Sequence, residues 1–469
     1  MIQYQNYVAG EWRASASGAT MTAQDPATGE SFATFPASSA IDVAQAVGAA
    51  RAAQPTWSAL PLGERLALLT EFIDAAEGAI DELALAEHRE MGKPIAIAKQ
   101  FLGLGIASFR AALAEAAEYP FVSRVSGDTG VTEIHRQPLG VVAEIVPWNF
   151  TVPQTLLNLG ALLAAGNTVV VKPSEKATPS AAVLFAQHSL PPGVLNLVLG
   201  DGEAGRALAE HEGVNLVVFT GSVATGRSVA QAAGANLNRS ILELGGKDAV
   251  IVDAGVDVAA VAMDVAAGSF INSGQICTSM ERIFVHAEVA EDFVPALVEA
   301  AAAFAADGPM AIGPLVDDSQ VRIVDEHVRD AVARGAQVLT GGRAPGANGN
   351  MYPPTVLTGV TPDMLIAREE TFGPVAPITV VSSFAAGLEL AQESEFGLAA
   401  TVYSPNAAHL ADARQLAVSL LWLNRWQGGE GIKESEPAGI SGMGAVGGAR
   451  SFDAATRPMT VFLPHEGAA

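Results

Sequence analysis

The chain of 469 residues carries 50 acidic against 26 basic side chains, a formal charge of −24. That excess argues against nucleic acid or an anionic membrane surface as partner, since both are polyanions. A single cysteine excludes an internal disulfide, and no CxxC or Cys/His cluster has zinc-ligand spacing, so no metal site is expected.

At the N-terminus, MIQYQNYVAGEW lacks a basic flank followed by an apolar run, so no signal peptide is expected. The longest apolar stretches are broken by aspartates and fall short of a membrane span. With the lone cysteine, this leads to an expectation of a cytoplasmic protein. The length exceeds what one core usually supports, which points to two or three domains. Ala/Glu/Leu-rich patterns predict helices over 41–54, 62–90 and 99–117, and VTEIHRQP (131–138) reads as an extended segment with no helix beside it. From residue 141 onward, short β-branched runs alternate with helical lengths of about a dozen residues. They are VVAEIV (141–146), NTVVVK (167–172), VLNLVL (194–199), LVVFT (216–220), DAVIV (248–252) and RIFVH (282–286). This rhythm predicts an α/β fold with a largely parallel sheet. A second series, at 337–342, 376–381, 400–404 and 420–424, predicts a second α/β domain. The terminal RPMTVFLP (457–464) is a candidate to pair with 131–138 as an arm.

Candidate chemistry sits in the turns. KPSE places Lys172 and Glu175 at a strand's C-terminal end, where open α/β sheets bind ligands. LGDGEAG is a literal G-x-G-x-x-G at Gly200, Gly202 and Gly205. No acidic residue lies between Glu212 and Glu243 to hold a ribose, so it reads as a tight βα turn. In FTGSVATG, Gly221, Ser222 and Gly226 open a helix whose backbone amides suit a pyrophosphate, though any βα turn has this form. Glu243 in LELGGKD is a candidate base. Cys277, in the turn-like NSGQICTS, is either a buried apolar side chain or a nucleophile. The eight histidines show no metal or triad spacing.

Taken together, these segments resemble the aldehyde dehydrogenase superfamily. PWNF (147–150), GNTVVVKPSE (166–175), FTGSVATG (219–226), LELGGKD (242–248), GQICTS (274–279) and EETFGP (369–374) appear in family order. The spacings of 34 residues from Glu243 to Cys277 and 23 from Asn149 to Lys172 also agree. The resemblance implies a Rossmann-like NAD domain (1–117 and 139–243), a catalytic α/β domain (244–440) and a small β oligomerisation arm (118–138 and 441–469). It implies Cys277 as nucleophile, Asn149 as oxyanion donor and Glu243 as activator of the hydrolytic water. Lys172 and Glu175, with Ser174, would hold the adenosine ribose. Gly221, Ser222 and Gly226 would hold the pyrophosphate. Trp148, Glu370 and Phe372 would lie at the nicotinamide end. The carboxylate of Glu175 would repel a 2′-phosphate, which favours NAD over NADP. Phe150, Leu157, Ile271 and Trp426 are implied to line the substrate tunnel. Homodimers or homotetramers are the expected assemblies.

The chain departs from the family in places. The usual C-terminal signature is altered to EPAGISGMGAVG. In that register Val446 replaces a glutamate used in proton relay, and Asn158 stands where its lysine partner is common. Gly429 and Ser435 occupy two tunnel-mouth positions that are often aromatic. Leu157 stands where succinate-semialdehyde enzymes usually carry an arginine. An uncompensated carboxylate is costly in an apolar pocket, so an uncharged aliphatic or aromatic aldehyde is favoured. Arg425 and Lys433 keep an acidic substrate open. Rival readings are a CoA-acylating relative, against which Glu243 counts; a catalytically quiet protein on the same fold; and a thiol redox sensor, which lacks a resolving cysteine.

Overall fold

The computed structural model describes residues 1–305, 308, 310–343, 349–428 and 433–465. Two large sheets organise it. The first has eight strands in the order Gly442–Met443, Arg239–Glu243, Leu216–Thr220, Val141–Val146, Thr168–Pro173, Leu195–Leu197, Asn6–Val8 and Glu11–Arg13. The five central strands run parallel, and the outer ones pair antiparallel. Val142, Val146, Val169, Val171 and Val218 face one helical layer, while Val141, Ala143, Val170 and Val217 face the other. Burial on both faces explains why these strands read as unbroken β-branched runs. From Val141–Val146 the chain adds strands in one direction, then returns to add Leu216–Thr220 on the other side. The crevice at the carboxyl ends of those two strands is therefore a topological switch point, where open α/β sheets bind ligands.

The second sheet has seven strands, in the order Gln337–Thr340, Thr355–Thr358, Val375–Val381, Met280–His286, Asp248–Val252, Ala399–Tyr403 and Leu420–Leu423. All are parallel except the first. The predicted α/β class holds, and the four runs from 337 onward all contribute strands here. The predicted helix over 62–90 is two, Leu62–Gly78 and Ile80–Met91, broken at Ala79.

Helix Ile95–Glu118 is long and apolar enough by composition to cross a membrane, yet its Leu102, Ile106, Phe109 and Leu113 are buried in the main core. Two glycines let it approach helix Thr151–Ala164 closely: a Cβ on Gly105 would lie 2.8 Å from the Pro153 Cα, and one on Gly160 3.0 Å from the Ala112 Cβ.

Gly130–Pro138 pairs antiparallel along its whole length with Thr456–Pro464, and Val122–Gly127 completes a three-stranded arm sheet. Residues 442–455, grouped with the arm from sequence alone, attach elsewhere. Gly442–Met443 adds to the first sheet, and helix Gly448–Ala455 buries Phe452 and Ala455 in that sheet's core. A local sequence pattern shows a strand or helix but not which sheet receives it.

Candidate active site

Cys277 owes its position to an unusual turn. Helix Val258–Phe270 ends, and Asn272, Ser273 and Gly274 all take left-handed φ values of 55°, 59° and 70°. Two consecutive non-glycine residues there cost about 1 kcal/mol or more each, so the surroundings must hold them. Asn272 Nδ2 donates to the Gln275 carbonyl at 3.1 Å, and Gln275 Nε2 returns a bond to the Asn272 carbonyl at 3.0 Å. Ser273 Oγ donates to the Gly313 carbonyl, and the Val316 N–H donates to Gln275 Oε1. Gly274 is required by space as well as by φ, since a Cβ there would lie 2.1 Å from the Gly373 carbonyl oxygen. On the other side, a Cβ on Gly246 would lie 2.3 Å from the Cys277 carbonyl oxygen. The loops LELGGKD and EETFGP thus close on the cysteine's backbone.

The electrostatics follow from burial. The Cys277 thiol is pushed up, first by burial and then by the carboxyl groups of Asp248, Glu243 and Glu370. A thiol raised in this way keeps its proton at neutral pH. Burial pushes the Glu243 carboxyl up to about 8, and its Oε1 has no hydrogen-bond partner among the described residues. Asn149 is buried and donates one Nδ2 hydrogen to the Gln275 carbonyl at 3.0 Å, leaving its second N–H for another acceptor. Burial, reinforced by Glu281, pushes Glu370 up to about 8 despite a bond from the Gly246 N–H and the charge of Lys247.

A cleft of about 240 Å3 brings these groups together at the switch point. Eight of the expected residues line it: Trp148, Asn149, Gly221, Ser222, Glu243, Cys277, Glu370 and Phe372. Trp148 packs edge-on against Phe372, with ring centroids 5.3 Å apart. Gln154, Leu244, Gly245, Gln320 and Ile323 line it too, and no motif signalled Gln154, Gln320 or Ile323. A separate cleft of about 200 Å3, with Arg282, Arg368 and Glu393 in its wall, lies away from Cys277, which is not in its lining.

The remaining cofactor candidates stand at neighbouring strand ends. Lys172 is buried, its ammonium pushed down by burial, and its Nζ lies 3.7 Å from Glu175 Oε2. Ser174 follows on the same loop and accepts from the Lys176 N–H. Gly226 lies inside helix Val223–Ala235, where a Cβ would strike Leu244 at 2.4 Å. Ser222 caps that helix by accepting from the Thr225 N–H. A dinucleotide fits this donor set. The 13-residue helix opens at the cleft, and glycines keep the approach clear: a Cβ on Gly245 would collide with the Glu370 carboxyl at 2.4 Å.

On the proposed substrate side, Phe150 and Trp426 are buried in one apolar cluster, with Ile271, Phe101 and Trp422 packed against it. Trp426 Nε1 donates to the Thr278 carbonyl, beside the nucleophile. Leu157, half-buried on helix Thr151–Ala164, is outside that cluster. Gly429 falls outside the described residues. Ser435 is buried and pairs with Val446. Asn158 and Val446 do face each other across a void of about 10 Å3. The partner of Asn158 is unforeseen: its Nδ2 donates to Oε1 of Glu144, a fully buried carboxyl held well above the usual range by burial.

A thiol, two carboxyls, a side-chain amide and the switch-point crevice meet in one cleft, an arrangement suited to an oxidoreductase. Comparison with known proteins agrees. Residues 12–461 match the aldehyde dehydrogenase family, and the chain belongs to that family. It is 35% identical over 449 residues to the NADP/NAD-dependent aldehyde dehydrogenase PuuC of Escherichia coli, covering 92% of this chain and 89% of the relative. Its fold matches the crystal structure of an NAD-dependent aldehyde dehydrogenase from Sinorhizobium meliloti, with a TM-score of 0.95 and 34% identity over 99% of this chain and 95% of the other. It also matches succinate-semialdehyde dehydrogenase from Burkholderia pseudomallei, with a TM-score of 0.94 and 32% identity over 98% of each chain. The protein is therefore an aldehyde dehydrogenase, an NAD(P)-dependent oxidoreductase acting on small-molecule aldehydes.

Proposed function

We propose that the protein oxidises an uncharged aliphatic or aromatic aldehyde to its acid and prefers NAD. The observation that carries the substrate reading is the apolar cluster of Phe150, Ile271 and Trp426. The cation that packs on it, Lys93, lies 4.4 Å from the Phe150 ring centre and is already paired with Glu87 at 2.7 Å. Leu157 supplies no charge either, so a substrate carboxylate against this cluster would be met by neither Lys93 nor Leu157, at a cost of several kcal/mol, and an acidic substrate would depend on Arg425 or Lys433. The NAD preference rests on Glu175, whose carboxylate beside Lys172 would repel a 2′-phosphate.

In this reading Glu243 takes the thiol proton, and the Cys277 thiolate adds to the aldehyde carbon. Asn149 Nδ2 and the Cys277 backbone N–H donate to the oxyanion. The bound dinucleotide supplies the hydride acceptor, held by Lys172, Ser174, Glu175, Gly221, Ser222, Gly226, Trp148, Glu370 and Phe372. Glu243 then passes the thiol proton to solvent, and the carboxylate so restored deprotonates the water that releases the acid from the thioester. Deacylation proceeds without the lysine–glutamate pair, since Asn158 and Val446 occupy those positions. The domains are taken as 1–117 with 139–243 and 441–455, then 244–440, and the arm, the last reduced to 118–138 and 456–465. The assembly is a homodimer or homotetramer, and the compartment is the cytoplasm.

The test is NADH or NADPH formation with benzaldehyde, hexanal, glycolaldehyde and succinate semialdehyde, with Cys277→Ala as control. Turnover of benzaldehyde or hexanal that vanishes in the variant is expected. A preference for succinate semialdehyde would overturn the pocket argument, and NADPH outpacing NADH would overturn the role of Glu175.

A further inference from the structure

All four backbone polar groups of the Thr371–Phe372 turn have side-chain partners. Glu281 accepts the Thr371 N–H on Oε2 at 2.7 Å and the Phe372 N–H on Oε1 at 2.8 Å. From the opposite side, Gln320 Nε2 donates to the carbonyl oxygens of Thr371 at 3.0 Å and Phe372 at 3.1 Å. Phe372 itself sits at φ 52°, a left-handed conformation that an aromatic residue keeps only when it is held there.

Glu281 is in turn anchored. It is buried, and so is Lys247, whose Nζ lies 2.7 Å from Glu281 Oε2 and also donates to Thr371 Oγ1 at 3.2 Å. His327 Nδ1 reaches the same hydroxyl at 3.1 Å. A buried ion pair is by itself a poor stability device, because desolvation offsets its attraction. Here its remaining acceptor capacity is committed to one turn, and that turn carries Glu370 on one side and Phe372 within it. Both line the catalytic cleft, as does Gln320. Lys247 lies next to Gly246, whose N–H donates to Glu370 Oε1 at 2.9 Å. One buried pair thus ties together the LELGGKD loop, the strand Met280–His286 that follows the nucleophile, and the EETFGP loop.

We propose that Glu281 is a positioning residue of the dinucleotide site: its carboxylate, anchored by Lys247, sets the Thr371–Phe372 turn and with it the Glu370 carboxyl and the Phe372 ring. This rests on the reading of Glu370 and Phe372 as cofactor contacts. Glu281 touches neither cofactor nor substrate and acts through the turn.

The test compares wild type with Glu281→Gln and Glu370→Gln. NAD affinity is read by tryptophan fluorescence, to which Trp148 reports through its contact with Phe372. The KM values for NAD and aldehyde, kcat, the melting temperature and the rate of Cys277 alkylation by iodoacetamide complete the set. Glu281→Gln removes the charge and one good acceptor, so NAD affinity should fall and its KM rise by about tenfold, the loss of roughly one charge-assisted hydrogen bond. The KM for aldehyde and the alkylation rate should stay as in wild type. If Glu281→Gln only melts lower and binds NAD normally while Glu370→Gln does not, Glu281 is a structural ion pair and the proposal fails. If Glu370→Gln binds and turns over NAD normally, the reading of Glu370 itself fails, and the positioning role falls with it. Should Glu281→Gln not fold, Gln320→Leu cuts the carbonyl half of the clamp. It should weaken NAD in the same way, and unchanged affinity there would overturn the proposal.

Discussion

Glu243 shows how one side chain's surroundings set both rate and stability. Its carboxyl is pushed up to about 8 by burial, so below that pH it holds a proton and cannot act as base. Acid release should therefore rise with pH and level off above about 8. Glu243→Gln should flatten that limb and slow both the first equivalent of NADH and the turnover that follows, as a stopped-flow trace would show. The stability effect runs the other way. A carboxyl whose folded value is raised favours the fold fully below its unfolded value, and that contribution is lost as pH climbs through 8. Glu243→Gln should consequently melt higher than wild type at pH 9 and much as wild type at pH 4. Equal melting at both would contradict the desolvated carboxyl. Asn149 is the second residue-scale case. One of its two N–H bonds is spent on Gln275, and the other is available to the oxyanion. Asn149→Ala should lower kcat by about 10²–10³, with NAD affinity unchanged in a fluorescence titration. An unaltered kcat would remove Asn149 from the oxyanion site.

At the scale of elements, the turn before Cys277 is shaped by its neighbours rather than by its own propensity. Left-handed φ at Asn272 and Ser273 is tolerated because Gln275 Nε2 bonds the Asn272 carbonyl, Ser273 Oγ bonds the Gly313 carbonyl, and the Val316 N–H holds the Gln275 amide in place. Gly274 has no substitute there, with φ 70° and the Gly373 carbonyl against it. Gly274→Ala should cost about 3 kcal/mol or more in chemical denaturation, and it should abolish turnover by moving the EETFGP loop. A melt within a degree of wild type would show that the loop yields easily. Such close approaches leave a sequence trace only as scattered glycines. The glycine-bearing motifs GQICTS and EETFGP were legible, but the contact between them was not.

At the scale of the whole molecule, the arm leaves apolar side chains uncovered. Val122 and Val125 are 50% and 60% exposed, Phe462 and Leu463 are 54% and 44% exposed, and Thr456–Pro464 is an edge strand. An exposed apolar edge strand invites pairing with another chain. This fits the proposed homo-oligomer. Phe462→Glu should lower the mass measured by light scattering, while Cys277 alkylation stays as in wild type. An unchanged mass would place the interface elsewhere.

The strand runs from 141 onward were legible because burial on both faces demands continuous β-branched side chains. The chemical cast was legible because six motifs keep their order and spacing. Cys277, Glu243 and Asn149 were named from these alone, and the structure brings all three into one cleft. The tertiary structure decided what depends on packing between distant segments: that Glu144 meets Asn158, that Gly442–Met443 joins the first sheet while helix Gly448–Ala455 packs on its core, and that Glu281, Lys247 and Gln320 hold the Thr371–Phe372 turn. It also decided protonation. A carboxyl reads the same in any sequence, but the water it loses on burial is set only by what folds around it.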